Sequence, residues 1–390
     1  MRQPVLVPRM RPFTSTIFAE MTALAQRTGA VNLGQGFPDT DGPPGMLATA
    51  RKAIAEGVNQ YPPGPGIPEL RAAVAAHRTR YGIEYDPDTE VLVTVGATEA
   101  ITAALLALVG PGDEVLVVEP YYDSYAAAVA LSGATRRVVG LREAEDGRFA
   151  LDVAALRAAV TQDTKALLLN SPHNPTGTMF TESELAEVAA LCVEHDLIAI
   201  TDEVYEHLIY DGRAHVPLAT LPGMAERTVT VSSAGKTFNC TGWKIGWACG
   251  PAELVAAVRA TKQFLTFVGG APFQPAVAHA LRHELPWVEG LRASLQAKRD
   301  RLAAGLAQAG FAVRPSAGTY FVCADVRPLG LADGAELCWA LPERVGVAAV
   351  PVQVFTDHPE QWRHLVRFAF CKRDEVLDQA ISRLSTLGDN

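Results

Sequence analysis

Apolar runs rich in β-branched residues alternate along the chain with stretches in which apolar residues recur about every 3.6 positions. The first kind predicts buried strands, because a strand covered on both faces is apolar at every position. The second kind predicts amphipathic helices, such as residues 99–109 and 181–195. The predicted strands are residues 90–95, 113–119, 165–170, 197–203, 228–233 and 244–250. Strands that alternate with helices are typical of an α/β fold with a mainly parallel sheet.

This α/β pattern extends over residues 47–285, which we predict to be a large domain. A long amphipathic stretch follows, and then come two strand-like runs, GTYFVCADV (318–326) and HLVRFAF (364–370), each with a helical pattern behind it. We therefore predict a smaller α+β domain formed by residues 286–390 together with residues 1–46, which include an N-terminal arm.

Composition narrows the class of protein. The 390 residues are 48% hydrophobic and 20% charged, as in an ordinary globular protein. The net charge of −9 repels polyphosphates, so we expect no nucleic-acid partner. The six cysteines form no CxxC pair and no zinc-like spacing, which favours free thiols in the cytoplasm. No apolar run has the length of a membrane span, and we expect no membrane partner.

Polar residues follow four of the predicted strands, at the edge where ligands gather in a parallel sheet. They are the segment 96–99, which opens a helix, then Asn170 and Asn174, then Asp202, and finally Lys236. Each has an ordinary explanation. The segment 96–99 could simply cap its helix, and the asparagines could form an Asx turn. Asp202 could cap the segment that follows it, and Lys236 could reach solvent or pair with a carboxylate. Their convergence on one edge is what favours a site.

Together these strand ends offer a nest for a phosphate, an amide, a carboxylate and an amine. Those groups match a cofactor that carries a phosphate, a phenolic oxygen, a ring nitrogen and an aldehyde, which is pyridoxal 5'-phosphate. The sequence therefore predicts a site for this cofactor. We find no Walker motif and no dinucleotide-binding glycine fingerprint.

Several motifs in this order resemble those of one enzyme family. They are VNLGQGFPD (31–39), GVNQYPPGPG (57–66), VGATEA (95–100), EPYYDSY (119–125), NSPHNPTG (170–177), TDEVYEHL (201–208), SSAGKTFNCTGWKIGW (232–247) and LVRFAF (365–370). The chain resembles class I pyridoxal-phosphate-dependent aminotransferases over nearly its whole length. Within them it is similar to the kynurenine, glutamine/methionine and N-succinyldiaminopimelate branch, especially actinobacterial N-succinyldiaminopimelate aminotransferases. The implied fold is the PLP-dependent transferase fold, which is aspartate aminotransferase-like.

The resemblance implies a catalytic role for residues at three strand ends. Lys236 would bind the cofactor aldehyde as a Schiff base and, once released, would move the proton between the substrate Cα and the cofactor. Asp202 would pair with the pyridinium nitrogen. Asn174 and Tyr205 would hydrogen-bond the phenolic oxygen and so tune the pKa of the Schiff base.

The resemblance also implies contacts to the ring and the phosphate of the cofactor. Tyr122 would stack on the ring, with Tyr121 as the alternative if the register differs by one. The phosphate would be held by Ala97, Thr98, Ser233 and Lys244. Tyr61 would reach the phosphate of the neighbouring subunit, which implies a homodimer with shared active sites.

For substrate binding the resemblance points to Arg367, in LVRFAF. A strand arginine is ordinarily part of a structural ion pair. Here it would instead grip the α-carboxylate of the substrate with its two-pronged guanidinium. Asn170 would assist, and the backbone of Gly34 would close over the substrate.

Other reactive side chains lie near these motifs, but packing explains them more simply. A loop histidine such as His173 is more often packed or exposed than catalytic. We therefore predict no catalytic role for His173 or for His207. Cys240 and Cys249 are interpreted as small buried hydrophobes. We predict no metal site.

Three functions remain open. The preferred one is a ping-pong transaminase that acts on an amino acid and a 2-oxo acid, with N-succinyl-LL-2,6-diaminopimelate and glutamate as the substrates implied by resemblance. A cysteine-conjugate β-lyase would use nearly the same residues. A non-catalytic binding module fits less well, because Lys236 is retained and no basic helix-turn-helix is appended. An acidic substrate side chain would favour a second cation, for which Arg9, Arg11 and the Arg314 region are candidates.

Overall fold

The structure is a computed structural model that describes residues 5–387, so residues 1–4 and 388–390 of the predicted smaller domain lie outside the described residues. The strands are β1 (Val31–Asn32), β2 (Val91–Thr94), β3 (Glu114–Glu119), β4 (Thr135–Gly140), β5 (Arg142–Glu143), β6 (Phe149–Ala150), β7 (Thr164–Asn170), β8 (Ile198–Asp202), β9 (Thr228–Ser233), β10 (Gly246–Cys249), β11 (Ala312–Val313), β12 (Phe321–Asp325), β13 (Val347–Ala348), β14 (Val350–Pro351) and β15 (Leu365–Ala369).

The α-helices are α1 (Ile17–Thr28), α2 (Pro44–Ala55), α3 (Pro68–Arg78), α4 (Gly96–Leu108), α5 (Asp123–Ser132), α6 (Val153–Ala159), α7 (Glu182–Glu194), α8 (Ala234–Thr237), α9 (Ala252–Lys262), α10 (Phe273–His283), α11 (Leu285–Gln308), α12 (Gly334–Arg344), α13 (Pro359–Trp362) and α14 (Asp374–Leu384). Short 3-10 helices lie at Pro8–Phe13, Thr79–Tyr81, Leu218–Thr220, Thr241–Trp243, Arg327–Leu329 and Val352–Phe355. Within residues 5–387, no helix combines the length and the apolar character that crossing a bilayer requires.

Seven strands form one sheet in the order β2-β10-β9-β8-β7-β3-β4. The pairs among β4, β3, β7, β8 and β9 are all parallel, whereas β10 is antiparallel to both of its neighbours. Helices α4, α5 and α9 cover one face. The other face is covered by α6 and α7 over β3, β7 and β8, and by α2, α3 and α10 over β2 and β10. The predicted α/β fold with a mainly parallel sheet is confirmed, and all six predicted strands lie in this sheet.

Strand β4 is the member of the sheet that the hydrophobic pattern did not predict. Its sequence TRRVVG lies at the sheet edge. Exposed and half-buried residues alternate along it, and Val139 is its one buried residue. An edge strand needs polar residues to remain soluble and to avoid pairing with other chains, so it lacks the continuous apolar run of an inner strand.

The antiparallel course of β10 determines where two lysines lie. Gly246 pairs with Ser233 of β9 on one side and with Thr94 of β2 on the other. The connection from β9 to β10 therefore stays at the edge where the parallel strands end. Lys236 and Lys244 both lie on this connection.

A second, antiparallel sheet has the order β11-β12-β15-β14, and it contains both strands predicted after residue 310. Its register places Cys323 opposite Arg367. Strand β1 pairs with β13, which brings the N-terminal segment to the C-terminal part of the chain. The seven-stranded sheet falls inside residues 47–285 and the four-stranded sheet inside 286–390, but the domain boundaries themselves stay a prediction.

Candidate active site

A cavity of about 270 Å³ opens where β7, β8 and β9 end and α4 begins. Parallel strands bring their carboxyl ends to one edge, so residues that are distant in sequence meet there. All of the predicted site residues line this cavity except two, Gly34 and Tyr61. Those on its wall are Ala97, Thr98, Tyr122, Asn170, Asn174, Asp202, Tyr205, Ser233, Lys236, Lys244 and Arg367.

Lys236 extends into the cavity from α8, the short helix that follows β9. Its Nζ donates a hydrogen bond to the hydroxyl of Tyr320 at 2.7 Å. Loss of solvent around the amine lowers the pKa of Lys236 to about 8. Burial therefore favours the neutral amine relative to an exposed lysine, and the neutral amine is the form that can act as a nucleophile or a base.

Asp202 ends β8 and is buried beneath the cavity. Its Oδ2 accepts a hydrogen bond from the Tyr125 hydroxyl at 2.6 Å, and its Oδ1 accepts one from the backbone N–H of Val204 at 3.2 Å. Burial raises the pKa of this carboxyl group above its ordinary value. Tyr125 was not predicted as a site residue, although it lies in the EPYYDSY motif one helical turn after Tyr122.

Arg367 is 1% exposed and lies in β15 without an ion pair to a carboxylate in the described chain. Its Nη1 donates to Oδ1 of Asn174 at 2.9 Å, and its Nη2 donates to the carbonyl oxygen of Gly34 at 3.0 Å. Its Nε has no partner, and the guanidinium lies 3.9 Å from the ring centre of Phe321. A buried cation with only neutral acceptors is suited to bind an anion from solution.

The two asparagines hold the loop that follows β7. The Oδ1 of Asn170 accepts from the backbone N–H of Asn174 at 2.7 Å, and its Nδ2 donates to the carbonyl oxygen of Asp202 at 2.8 Å. Asn170 therefore connects the ends of β7 and β8, which pair directly at these two residues. This arrangement keeps the side chain of Asn174 beside Arg367.

Part of the cavity lies between the start of α4 and the connection that precedes β10, and we call this part the recess. Gly96 has φ +74°, and a Cβ there would lie 3.1 Å from Nζ of Lys244. A Cβ on Gly246 would overlap the backbone of Gly96 at 2.6 Å. Glycine at both positions thus lets the first turn of α4, with Thr98, approach the ammonium group of Lys244.

Three predicted contacts need separate description. The hydroxyl of Tyr121 donates to Asp357 at 2.5 Å, and this residue does not line the cavity, so the position beside the cavity belongs to Tyr122. Tyr61 is 81% exposed and its ring lies 5.5 Å from that of Phe267, away from the cavity wall. Gly34 contributes only its carbonyl group, through Arg367.

The four discounted side chains do not line the cavity. His173 is buried with Nδ1 2.8 Å from the Thr176 hydroxyl, and burial lowers its pKa to about 3. Burial also raises the pKa values of Cys240 and Cys249 to about 12, so both stay thiols.

Aromatic residues of the cavity wall were missed by the sequence analysis. Phe18, Phe37 and Phe321 line it, and the hydroxyl of Tyr320 reaches Lys236. The run GTYF had indicated only a strand. Its contact with Lys236 depends on how the four-stranded sheet packs against the seven-stranded one, and no local pattern encodes that packing.

A buried polar network lies outside the cavity wall, and in it Glu206, His77 and His207 have the mutual spacing of metal ligands. The two Nε2 atoms of the histidines are 2.8 Å apart, and Nη1 of Arg80 lies 3.0 Å from Nδ1 of His207. Arg78 also donates to Glu206 at 3.0 Å. Two guanidinium groups already supply the positive charge that a metal ion would bring, so we interpret this network as structural.

We expect the cofactor-free protein to lose stability as the pH falls from 6.5 to 5. Burial lowers the pKa values of His77, His173 and His207 to about 4, 3 and 3. In this window the unfolded chain binds protons, at a pKa of about 6.5, and the folded chain does not. The free energy of unfolding therefore falls below pH 6.5, by on the order of 2 kcal/mol for each of these histidines at pH 5.

Urea midpoints of unfolding at pH 7 and pH 5 measure this loss. The His207→Gln variant should show a smaller difference between the two midpoints, whereas replacement of the exposed His195 by glutamine should not change it. Equal midpoints at the two pH values for the unmodified chain would contradict the expectation.

Comparison with known proteins finds relatives over almost the whole chain. The family described as aminotransferase class I and II matches residues 28–384. The probable N-succinyldiaminopimelate aminotransferase DapC of Mycobacterium tuberculosis is 63% identical, and the match covers 98% of both chains. The solved structure of N-succinyldiaminopimelate aminotransferase from Mycobacterium tuberculosis has a TM-score of 0.96 at 64% identity, covering 98% of this chain and 100% of that chain. The methionine aminotransferase of Escherichia coli is 39% identical over 96% of both chains.

Proposed function

Because this chain belongs to the class I and II aminotransferase family, we propose that it exchanges an amino group between N-succinyl-LL-2,6-diaminopimelate and 2-oxoglutarate in a ping-pong reaction. The chain is a pyridoxal-phosphate-dependent aminotransferase with the aspartate aminotransferase-like fold. The observation that carries the proposed substrate is the 63% identity to the probable N-succinyldiaminopimelate aminotransferase. On the same ground we place the reaction in lysine biosynthesis.

The residues around the cavity fit pyridoxal phosphate. Lys236 offers an amine of lowered pKa, and Asp202 offers a buried carboxylate for a protonated ring nitrogen. The ammonium group of Lys244 lies close to Gly96 at the start of α4, and both residues line the cavity, so this end of it offers the positive charge and the helix N-terminus that suit a phosphate. We propose that the remaining contacts come from Ala97, Thr98, Tyr122, Asn174, Tyr205 and Ser233. When bound, the cofactor provides an electron sink for the electron pair left at the substrate Cα.

The protein's own groups bind the substrate and move its proton. Lys236, with a pKa of about 8, can take the proton from the substrate Cα and give it to the cofactor, and it can carry the proton back in the reverse direction. We propose that the substrate α-carboxylate binds Arg367, where it replaces the weaker neutral acceptors Asn174 and Gly34. Asn170 keeps Asn174 in place during this exchange.

The part of the cavity left for the substrate side chain is aromatic, with Phe18, Phe37 and Phe321 on its wall. Arg314, suggested above as a second cation, is instead paired with Asp325 and Glu143. Arg9 and Arg11 do not line the cavity either. The aromatic wall also favours a second candidate function, a methionine or kynurenine aminotransferase.

Half-reaction kinetics distinguish these substrates. The visible absorbance of the bound cofactor is followed while N-succinyl-LL-2,6-diaminopimelate, methionine, kynurenine or glutamine is added as the amino donor. We expect the succinylated substrate to react with at least a tenfold higher second-order rate constant than the others. A faster reaction with methionine or kynurenine would overturn the proposed substrate and leave the aminotransferase activity intact. Pyruvate released from a cysteine conjugate would indicate a β-lyase.

We also propose that the enzyme is a cytoplasmic homodimer with active sites shared between subunits. Large apolar residues are exposed around Tyr61, namely Phe264 (83%), Leu265 (44%) and Phe267 (46%). Together with Tyr61 they form what we call the Tyr61 patch. Several large apolar side chains exposed in one short segment, one of them packed against Tyr61, are typical of a protein interface. A second copy of the chain bound to this patch would place Tyr61 at the subunit interface, beside the other subunit. The six free, buried cysteines suit a reducing compartment.

Replacement of Phe264 by aspartate is expected to convert the dimer to a monomer and to weaken cofactor retention, because it places a charge in the middle of the Tyr61 patch. Light scattering after size-exclusion chromatography measures the mass, and absorbance after dialysis measures the retained cofactor. Val193→Asp, at another exposed apolar residue, serves as the control and should remain a dimer. A dimeric Phe264→Asp variant with full cofactor retention would place the interface elsewhere.

A further inference from the structure

The hydroxyl of Tyr320 lies between the amine of Lys236 and the backbone of the segment that covers the cavity. Its oxygen is 2.7 Å from Nζ of Lys236 and 2.5 Å from the carbonyl oxygen of Gly36. We propose that Tyr320 is a positioning residue that holds the free amine of Lys236 and leaves the lone pair of that amine available for proton transfer. This inference rests on the proposed role of Lys236 as the base.

The direction of the two hydrogen bonds follows from their chemistry. A carbonyl oxygen cannot donate, so the single proton of the Tyr320 hydroxyl is given to Gly36. Towards Lys236 the phenol oxygen can then only accept. A neutral amine has two protons and one lone pair, and donating one proton leaves the lone pair unused. If Tyr320 donated instead, it would occupy the lone pair that must take the substrate proton.

The Tyr320 ring is held firmly enough to set the position of the amine. It is 1% exposed and packs edge-on against Tyr205, with ring centres 5.2 Å apart and planes at 88°. The backbone carbonyl of Tyr320 accepts from the N–H of Phe370 at 3.0 Å, next to the strand that carries Arg367. The amine and the carboxylate-binding guanidinium are therefore positioned by one small sheet.

Gly36 is required for this arrangement. A Cβ built there would clash with the ring of Phe321 and lie 3.2 Å from the ring of Tyr320. Only a residue without a side chain lets the carbonyl group approach the phenol. Segment 34–37 is also fixed on both sides of this contact, by Arg367 at Gly34 and by Lys372 at the carbonyl oxygen of Phe37, at 2.9 Å.

The test replaces Tyr320 by phenylalanine, which removes the acceptor and keeps the ring. Tyr210→Phe is the matched control, because its buried hydroxyl also donates to a backbone carbonyl, that of Thr319 at 2.5 Å, but it does not contact Lys236. In the cofactor-free protein, the lysines are labelled with trace acetic anhydride from pH 6 to pH 10 and each is quantified by mass spectrometry. Lys244 serves as the internal reference.

We expect the labelling midpoint of Lys236 to shift to lower pH by about half a unit to one unit in Tyr320→Phe, because a hydrogen-bond acceptor stabilises the ammonium form. The Tyr210→Phe profile should match that of the unmodified chain. In the loaded enzyme, kcat should fall about 10-fold to 100-fold with little change in KM. An unchanged Lys236 profile in a Tyr320→Phe protein that melts within a few degrees of Tyr210→Phe would overturn the inference.

The labelling result does not depend on the substrate. It therefore separates a failure of this inference from a failure of the proposed substrate, which the half-reaction kinetics test. If Tyr320→Phe is too unstable to purify, the labelling rate of Lys236 at high pH in Gly36→Ala decides instead, and a rate equal to that of the unmodified chain would overturn the inference. That variant displaces the Tyr320 hydroxyl from its acceptor, frees its proton for Lys236, and should slow labelling of the neutral amine.

Discussion

Replacement of Lys236 by alanine is expected to lower kcat by about 10⁴-fold or more, because in the proposed mechanism this one side chain both attaches the cofactor and transfers the proton. Its position on the cavity wall, its hydrogen bond to Tyr320 and its pKa of about 8 all suit these two tasks. Single-turnover transamination with the amino donor gives the rate, and the absorbance spectrum shows whether the cofactor is still bound noncovalently.

The control for this variant is Lys298→Ala, in which the lost lysine lies on α11 outside the cavity. It should retain full activity. A Lys236→Ala enzyme that turned over within tenfold of the unmodified rate would sink the proposed mechanism, whatever its substrate.

Replacement of Arg367 by lysine is expected to lower kcat/KM by about 10²-fold to 10³-fold. Lysine keeps the charge but loses the planar fork that can bind both carboxylate oxygens, and it leaves Asn174 or Gly34 without a donor in a buried site. Most of the loss should appear in KM for both the amino acid and the 2-oxo acid, because both carry the same carboxylate.

Arg314→Lys is the matched control, since Arg314 also lies beside the four-stranded sheet and donates to Asp325 at 3.2 Å. It should leave KM unchanged within about twofold. Competitive inhibition by a dicarboxylate gives an independent reading of the anion site. Equal KM values for Arg367→Lys and the unmodified enzyme would show that the α-carboxylate binds elsewhere.

The inner strands of the large sheet could be predicted because burial on both faces requires an apolar residue at every position. In β3 all six residues are buried, and the matching sequence run is continuous. Strand β4 lies at the edge and has no such requirement. Its two arginines interrupt the apolar run, so the hydrophobic pattern did not predict a strand there. Helix α4 begins at Gly96, within the segment 96–99 that was predicted to open a helix, although the apolar periodicity is clear only from residue 99 onward.

The site residues at the strand ends could be predicted for a related reason. The topology of a parallel sheet brings Asn170 and Asp202 side by side once the strands are identified. Tyr125 and Tyr320 could not be found in this way. Each reaches its partner across an interface between separate elements, and that packing is a property of the whole fold. The boundaries of the predicted domains and the roles of individual cofactor contacts remain predictions.

The antiparallel course of β10 has a consequence for the order in which the chain is made. In the sheet order, β2 is an end strand whose neighbour is β10, and β10 leaves the ribosome only after β3, β4, β7, β8 and β9. Until β10 has been synthesised, β2 is an apolar strand with no strand beside it. An unpaired apolar strand of this kind is prone to pair with other chains. When β10 inserts between β2 and β9, it closes this gap and fixes both Lys236 and Lys244. Arg367 follows later in the chain, so the strand-end residues of the proposed cofactor site are synthesised before the residue proposed to bind the substrate carboxylate.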